Sequence, residues 1–322
     1  MDIDYLLFLQ NLRLALGGFF TELMRIVTEW GEAATLLPII ACVYWLGHKR
    51  IASRVMYGFT MGSVVNSWIK LTACVSRPWL KDPRIVPDEV AIKGATGYSF
   101  PSGHTAKGFQ FFGTLADENR RKGVVIPCCI MALLVGFSRN FLGVHTPQDV
   151  IVSAMISLGL IFLTGRLFSY IEGGGKRDLL FVGISLVFGA ALLLYASVKS
   201  YPAAFADGSP TDVTAMAADS FKQVGALVGF LIGWIIERKF IKFDLPASKA
   251  RAVFRVIYGL IFIKLADMLM ETIFHGAHAW TRGFALEFAK FFMVTAVYPA
   301  LFLLVERWLA KRASKEVLTE GE

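Results

Sequence analysis

Apolar runs near 20 residues recur along this chain, each long enough to cross ~30 Å of hydrocarbon. Nine candidate spans stand at about residues 33–47, 52–73, 103–117, 123–143, 147–169, 179–199, 217–237, 252–274 and 284–308. The pattern predicts an all-α fold, a polytopic transmembrane helical bundle of about nine spans. With 55% hydrophobic and only 18% charged residues over 322 positions, the chain is too apolar for an ordinary soluble domain. Residues 1–30 differ, because Arg13, Glu22, Arg25 and Glu29 interrupt an otherwise apolar stretch. Leu14, Phe19, Phe20, Leu23 and Ile26 can share one helix face, so this segment is expected to be an amphipathic helix lying in the membrane interface. The chain opens Met1-Asp2-Ile3-Asp4 without a basic region, and no secretory signal peptide is expected.

The connections alternate in charge. One set carries Lys49, Arg50 and Arg54, then Arg120, Arg121 and Lys122, then Lys176 and Arg177. It continues through Arg238, Lys239, Lys242, Lys249 and Arg251 to Arg307, Lys311, Arg312 and Lys315. The other set holds the 75–102 loop, the 139–146 turn, the acidic 200–216 loop and the 275–283 turn. Basic loops stay cytoplasmic, which puts the N-terminus outside and the C-terminus inside. The formal net charge of +8 is thus a topology signal, and no nucleic-acid partner is expected.

Some features have ordinary explanations. Cys42, Cys74, Cys128 and Cys129 lie in or beside apolar segments without metal-binding spacing, and read as small apolar packers. Gly225, Gly229 and Gly233 form a smooth stripe for close helix approach, either within the chain or as a seam for a homodimer. His48 reads as a loop residue, and His275 with His278 as an outer turn rather than a metal pair. Lys264, Asp267 and Glu271 fall roughly on one helical face, near Glu287 and Lys290 of the next segment. They form either a structural ion-pair network or a border of the substrate pocket.

Three short stretches concentrate ionisable groups at the ends of apolar segments, where such groups are costly and mark function. They are Lys70 with Arg77-Pro78, then Pro101-Ser102-Gly103-His104, then Ser138-Arg139 followed by His145 and Asp149. The loop charges alone place all three on the outer side. Their chemistry suits a phosphate. Arg77 and Arg139 each present a planar fork of donors, and Lys70 adds a point charge. Ser102 stands where a helix N-cap would, aiming the N–H groups of Gly103 and His104 at an anion, and Gly103 lets oxygens approach the backbone. Singly, each residue has a plainer reading: Asp149 caps a helix that starts Thr146-Pro147, Lys70 snorkels, His145 sits at the interface.

Together, Lys70-x6-Arg77-Pro78, Pro101-Ser102-Gly103-His104 and Ser138-Arg139-x5-His145-x3-Asp149 resemble the three-part signature of the type 2 phosphatidic acid phosphatase superfamily. That group includes lipid phosphate phosphatases, bacterial polyprenyl-diphosphate phosphatases, glucose-6-phosphatase and vanadium haloperoxidases. The match spans Lys70–Asp149 with no departure at the motif positions. The resemblance implies that His145 attacks phosphorus and becomes a phosphohistidine, that His104 protonates the departing alcohol and then activates water, and that Asp149 holds the nucleophilic imidazole in its tautomer. Lys70, Arg77, Ser102, Gly103 and Arg139 would bind the phosphate. No metal or cofactor is expected, since three fixed cations already face the anion.

The expected organisation is an interfacial helix over 1–30, a six-span phosphatase core over 31–200, and three further spans with a cytoplasmic tail over 201–322. Nine spans with an outward site look like the layout of glucose-6-phosphatase. The expected activity is that of an integral-membrane phosphatase, in a bacterial cytoplasmic membrane, with its site outside. Its partners would be the bilayer and a phosphomonoester or diphosphate, favoured as a lipid phosphate such as phosphatidate or a polyprenyl diphosphate. A phosphotransferase using the same intermediate, a sugar-phosphate phosphatase and a non-catalytic lipid transporter are the alternatives.

Overall fold

The computed structural model describes residues 2–319 apart from 175 and 247, and the side chains of 313–319, Lys315 included, lie outside the described residues, as do residues 320–322 of the expected tail. The chain folds as α1 (Asp2–Glu29), α2 (Ala33–Trp45), α3 (Lys49–Ala73), two short helices α4 (Pro78–Lys81) and α5 (Glu89–Lys93), then α6 (Gly103–Asn119), α7 (Lys122–Phe141), α8 (Pro147–Glu172) and α9 (Arg177–Val198). The C-terminal part adds α10 (Val213–Ile236), α11 (Lys249–Ile273), α12 (Ala279–Phe292) and α13 (Tyr298–Thr319), with π-helical turns at Glu237–Ile241 and Met293–Val297. No strand occurs among the described residues. Local chemistry sets several starts. Asp212 caps α10 through Ala215 N–H at 2.9 Å, Ser248 caps α11 through Arg251 N–H at 3.2 Å, and Thr146 caps α8.

Every apolar segment read from the sequence coincides with a helix, but the helices are not alike. Lys122–Phe141, Pro147–Glu172, Arg177–Val198 and the continuous Ala279–Arg312 are long and apolar enough to cross a membrane; α1 and α2, bent by 50° at their break, pass together as one broken unit. By that measure there are four among the described residues, or five with the bent pair. Among the others, α3, α10 and α11 carry charges along their length: Lys49, Arg50, Arg54 and Lys70 on α3, Asp219 and Lys222 on α10, and Arg255, Lys264, Asp267 and Glu271 on α11. These charges lower their mean hydropathy, and several turn inward.

Polarity is inverted relative to a soluble protein. Phe162, Val187, Leu194 and Ile257 lie exposed while Arg54, Arg139 and Arg255 are buried. A surface of large apolar side chains around a polar interior is what hydrocarbon solvent selects. The protein is an integral membrane protein. On α1 the expected apolar face, Leu14, Phe19, Phe20, Leu23 and Ile26, is exposed, whereas Arg13 is buried. The helix is interrupted at Gly17, whose φ of 74° and ψ of −171° are not helical.

The two ends of the bundle are chemically distinct. At one, the basic connections knit helices together: Lys49 pairs with Glu237 at 2.9 Å, Arg54 with Glu118 at 2.6 Å and Asp117 at 2.5 Å, and Lys239 with Asp178 at 2.7 Å. At the other end the three motifs meet. The C-terminal helices join the core through α10, which lies against α3, α9 and α12. The Gly225, Gly229 and Gly233 stripe faces α12 and the turn after it; a Cβ there would overlap the Phe284 and Phe288 carbonyls and the Thr295 hydroxyl. The stripe is filled by this chain's own helix.

Candidate active site

The site grows from three helix ends. Ser102 caps α6, accepting from Thr105 N–H at 3.4 Å and from the Thr105 hydroxyl at 2.9 Å. The segment before it, with a cis Phe100–Pro101 peptide, is tied to α8: Ser102 N–H donates to the Asp149 carbonyl at 3.1 Å and the Ser153 hydroxyl donates to the Ser102 carbonyl at 2.7 Å. Helix geometry leaves the first N–H groups of α6, those of Gly103 and His104, without intrahelical acceptors. Around Gly103 the nearest group to an added Cβ is Asn66 Oδ1 at 3.8 Å, so the backbone there is open to a ligand.

The second end is the turn from α7 to α8. The Arg139 carbonyl accepts from Val144 N–H at 3.1 Å and His145 N–H at 3.3 Å, and Asn140 Nδ2 donates to the His145 carbonyl at 2.9 Å. Gly143 has φ of 74°, a left-handed conformation that favours glycine and reverses the chain within a few residues. His145 follows, and its ring is buried.

His145 is held from both sides. Arg77 Nη1 donates to Nε2 at 2.9 Å, and a guanidinium has no lone pair to accept with. Nε2 is therefore the acceptor, and the ring proton sits on Nδ1, which faces Asp149 Oδ2 at 3.3 Å. The same carboxylate oxygen accepts from the Ser99 hydroxyl at 2.6 Å and from Thr146 N–H at 2.8 Å. Asp149 is thus both the helix cap its sequence suggests and the partner of the imidazole. Burial pushes the His145 pKa well below the ordinary histidine range, and the Arg77 and Arg139 charges push the same way against Asp149. The ring is neutral at pH 7. Arg77 spends its other donors on carbonyls, on Gly97 at 3.0 Å, Thr96 at 2.8 Å and Val144 at 3.1 Å. Burial lowers its pKa to about 10, so it stays charged.

Arg139 is also buried, 1% exposed. Nη1 donates to the Thr28 hydroxyl at 2.7 Å, but Nε and Nη2 have no partner. Buried donors without acceptors cost about 1–3 kcal/mol each, and such donors on a guanidinium call for an anion. His104 Nε2 lies 2.5 Å from Glu32 Oε1, in the break between α1 and α2. The structure gathers Lys70, Arg77, Gly103, His104 and His145 on one cavity of about 690 Å³. Ser102 and Asp149 brace it from behind.

Three participants escaped the sequence reading: Ser99, Thr28 and Glu32. Ser99 lies two positions before the Pro101-Ser102-Gly103-His104 motif. Glu32 bordered an apolar run, where an ionisable group is a candidate by default. Thr28 offered no signal.

The Lys264, Asp267 and Glu271 face divides. Lys264 and Asp267 line the cavity, together with Glu287 and Lys290, whereas Glu271 pairs with Arg282 at 2.5 Å. His278 caps α12, its Nδ1 accepting from Trp280 N–H at 3.4 Å.

The family model described as PAP2 superfamily matches residues 52–172, and one described as PAP2 superfamily phosphatase, transmembrane extension, matches residues 221–312. The chain is 31% identical over 148 residues to the undecaprenyl-diphosphatase BcrC of Bacillus subtilis, covering 45% of this chain and 73% of that relative. The chain belongs to the PAP2 superfamily. It is 28% identical over 154 residues to phosphatidylglycerophosphatase B of the same organism, again over 45% of this chain and 73% of the relative. No solved structure matches. The protein is a phosphoric ester hydrolase of this superfamily, and both compared regions of the PAP2 chain contribute walls to the cavity.

Proposed function

We propose that this protein hydrolyses a lipid phosphate, monoester or diphosphate, through a phosphohistidine on His145. The observation that carries this reading is the pair of unpartnered, buried Arg139 donors beside an imidazole whose Nε2 is its acceptor nitrogen. The phosphoryl group would sit against the α6 N-terminus, Lys70, Arg77 and Arg139. To reach phosphorus, Nε2 gives up the Arg77 N–H, which a phosphoryl oxygen can then accept. The N–P bond forms as the P–O bond to the alcohol breaks, and His104 gives its proton to the departing oxygen. His104, now neutral, takes a proton from water; the water oxygen attacks phosphorus, the N–P bond breaks, and phosphate leaves. Asp149 keeps the His145 proton on Nδ1 throughout, and the charge that builds on the ring is stabilised beside it. Burial and the Arg139 charge hold the His104 pKa down, at about 3, and Glu32 opposes them by stabilising positive charge on the ring.

The arrangement proposed around the site is taken from the sequence reading: a six-span core over 31–200, three further spans, and the motif end outside a bacterial cytoplasmic membrane, with the basic end inside. A lipid substrate is supported by the names of the two relatives and by a site at the end of a membrane bundle.

Rapid quenching with phosphate-labelled substrate tests the mechanism. His145→Ala is expected to lose both phosphate release and protein-bound label. His104→Ala keeps label when the leaving group is a good one, such as a nitrophenol, while turnover of an alkyl ester falls roughly 10²–10⁴-fold. Label persisting on the His145 variant sinks the assignment.

A further inference from the structure

A phosphoryl group has five heavy atoms and occupies a small part of a cavity of about 690 Å³. The remainder must receive what the phosphate is attached to, and its far wall comes from the C-terminal helices. Asp219 and Lys222 project from α10, Lys264 and Asp267 from α11, Glu287 and Lys290 from α12. These are three ammonium groups and three carboxylates, with no formal net charge. Lys290 is partly engaged, 3.1 Å from Glu287 and 4.0 Å from Asp267. Among the described residues Asp219, Lys222 and Lys264 show no hydrogen bond or ion pair.

The composition of this wall selects a chemistry. A second phosphate would call for a second set of converging cations such as Lys70, Arg77 and Arg139 supply at the catalytic end, and three carboxylates oppose it. A hydrocarbon chain would desolvate six charged groups and leave Asp219, Lys222 and Lys264 among them unpaired, which is costly. Hydroxyl groups both donate and accept, and a surface offering ammonium donors beside carboxylate acceptors matches them. Nearby, Leu37 and Pro38 of α2 and Leu260 and Ile263 of α11 provide apolar lining for whatever follows the polar portion.

We infer that the α10–α12 wall is a headgroup subsite for a lipid whose phosphate is borne on a hydroxylated polyol or sugar unit, and that Lys264 and Asp267 read those hydroxyls. This rests on the proposed phosphatase activity and adds to it the class of group next to the phosphate. The helices of the transmembrane extension thereby gain a role in choosing substrate.

A matched pair of substrates tests it: a 1-acylglycerol 3-phosphate, whose 2-hydroxyl is free and which carries one phosphate only, and the deoxy analogue built on propane-1,3-diol. With the full-length protein in detergent, kcat/KM for phosphate release should favour the hydroxylated probe at least about tenfold, the worth of one good hydrogen bond. Asp267→Asn and Lys264→Met should each shrink that ratio toward one. Because the ratio is taken on the folded, active fraction, loss of protein does not mimic the effect. A wild-type ratio near one, or variants that leave the ratio unchanged, overturns the subsite while the phosphatase reading stands. Release from neither probe, nor from phosphatidate, overturns the phosphatase reading and this inference with it.

Discussion

At the scale of single residues, the site works by giving both nitrogens of His145 and Nε2 of His104 a fixed partner. The Arg77 donor and the Asp149 acceptor fix the His145 proton on Nδ1, and Glu32 holds His104 from the side opposite its backbone. A carboxylate at 2.5 Å from an imidazole nitrogen orients the ring and stabilises the positive charge that burial and Arg139 oppose. Glu32→Gln keeps the shape but removes the carboxylate charge. It is expected to slow release from an alkyl phosphate by roughly 10–100-fold, part of the general-acid contribution of about 10²–10⁴-fold. Hydrolysis of nitrophenyl phosphate, which needs little protonation, should change little; equal losses on both substrates would reduce Glu32 to a structural role. The motif residues were legible because their spacing is local: Ser102 caps the helix that bears His104, and Asp149 lies one turn beyond His145. Glu32 and Thr28 were not, because they reach the site from the α1–α2 break, 72 positions from His104 and 111 from Arg139. Only tertiary packing brings them there.

Among the elements, α1 and α10 show how a polar site is built inside a membrane bundle. The polar side of α1 is turned toward the motif loop. Gln10 accepts from Val86 N–H at 2.7 Å, Arg13 donates to the Val86 carbonyl at 2.5 Å, and Arg25 pairs with Asp88 at 2.7 Å. The sequence pattern showed amphipathicity correctly but not its direction, since the same stripe can meet solvent or a neighbouring loop. On α10 the glycine spacing was legible as a close-approach surface, with its partner left open between this chain and a second copy. The geometry makes a sharp prediction there. At Gly229 an added methyl would overlap the Phe288 backbone carbonyl, which cannot rotate away as a side chain would. Gly229→Ala should therefore destabilise by about 1–3 kcal/mol or more through overpacking, read as a lower melting temperature in detergent. At Gly183, where nothing lies within 4 Å, alanine should be tolerated. A Gly229→Ala protein as stable as the wild type would mean that α10 and α12 do not meet as described.

For the whole molecule, the decisive property is that its two ends differ in how charge is used. The basic end spends its arginines and lysines on carboxylates between helices, as Arg54, Lys49 and Lys239 do. The motif end leaves the buried Nε and Nη2 donors of Arg139 without an acceptor. The charge alternation made these ends legible in the sequence. The count of spans was harder to read, because charges on helices lining a polar site depress their hydropathy, as Lys264 and Asp267 do on α11. The proposed orientation rests on translocation energetics, in which short loops rich in lysine and arginine stay cytoplasmic. The four native cysteines, free in the structure, would first be replaced. Single cysteines at Ser209, in the loop beside the motif end, and at Lys242, in the connection from α10 to α11, then provide probes on opposite ends. In intact cells an impermeant maleimide should label Ser209→Cys and spare Lys242→Cys until the membrane is permeabilised. The reverse pattern would turn the molecule over and place phosphate release in the cytoplasm. Labelling of both in intact cells would contradict a bundle whose two loop sets lie on opposite faces of one membrane.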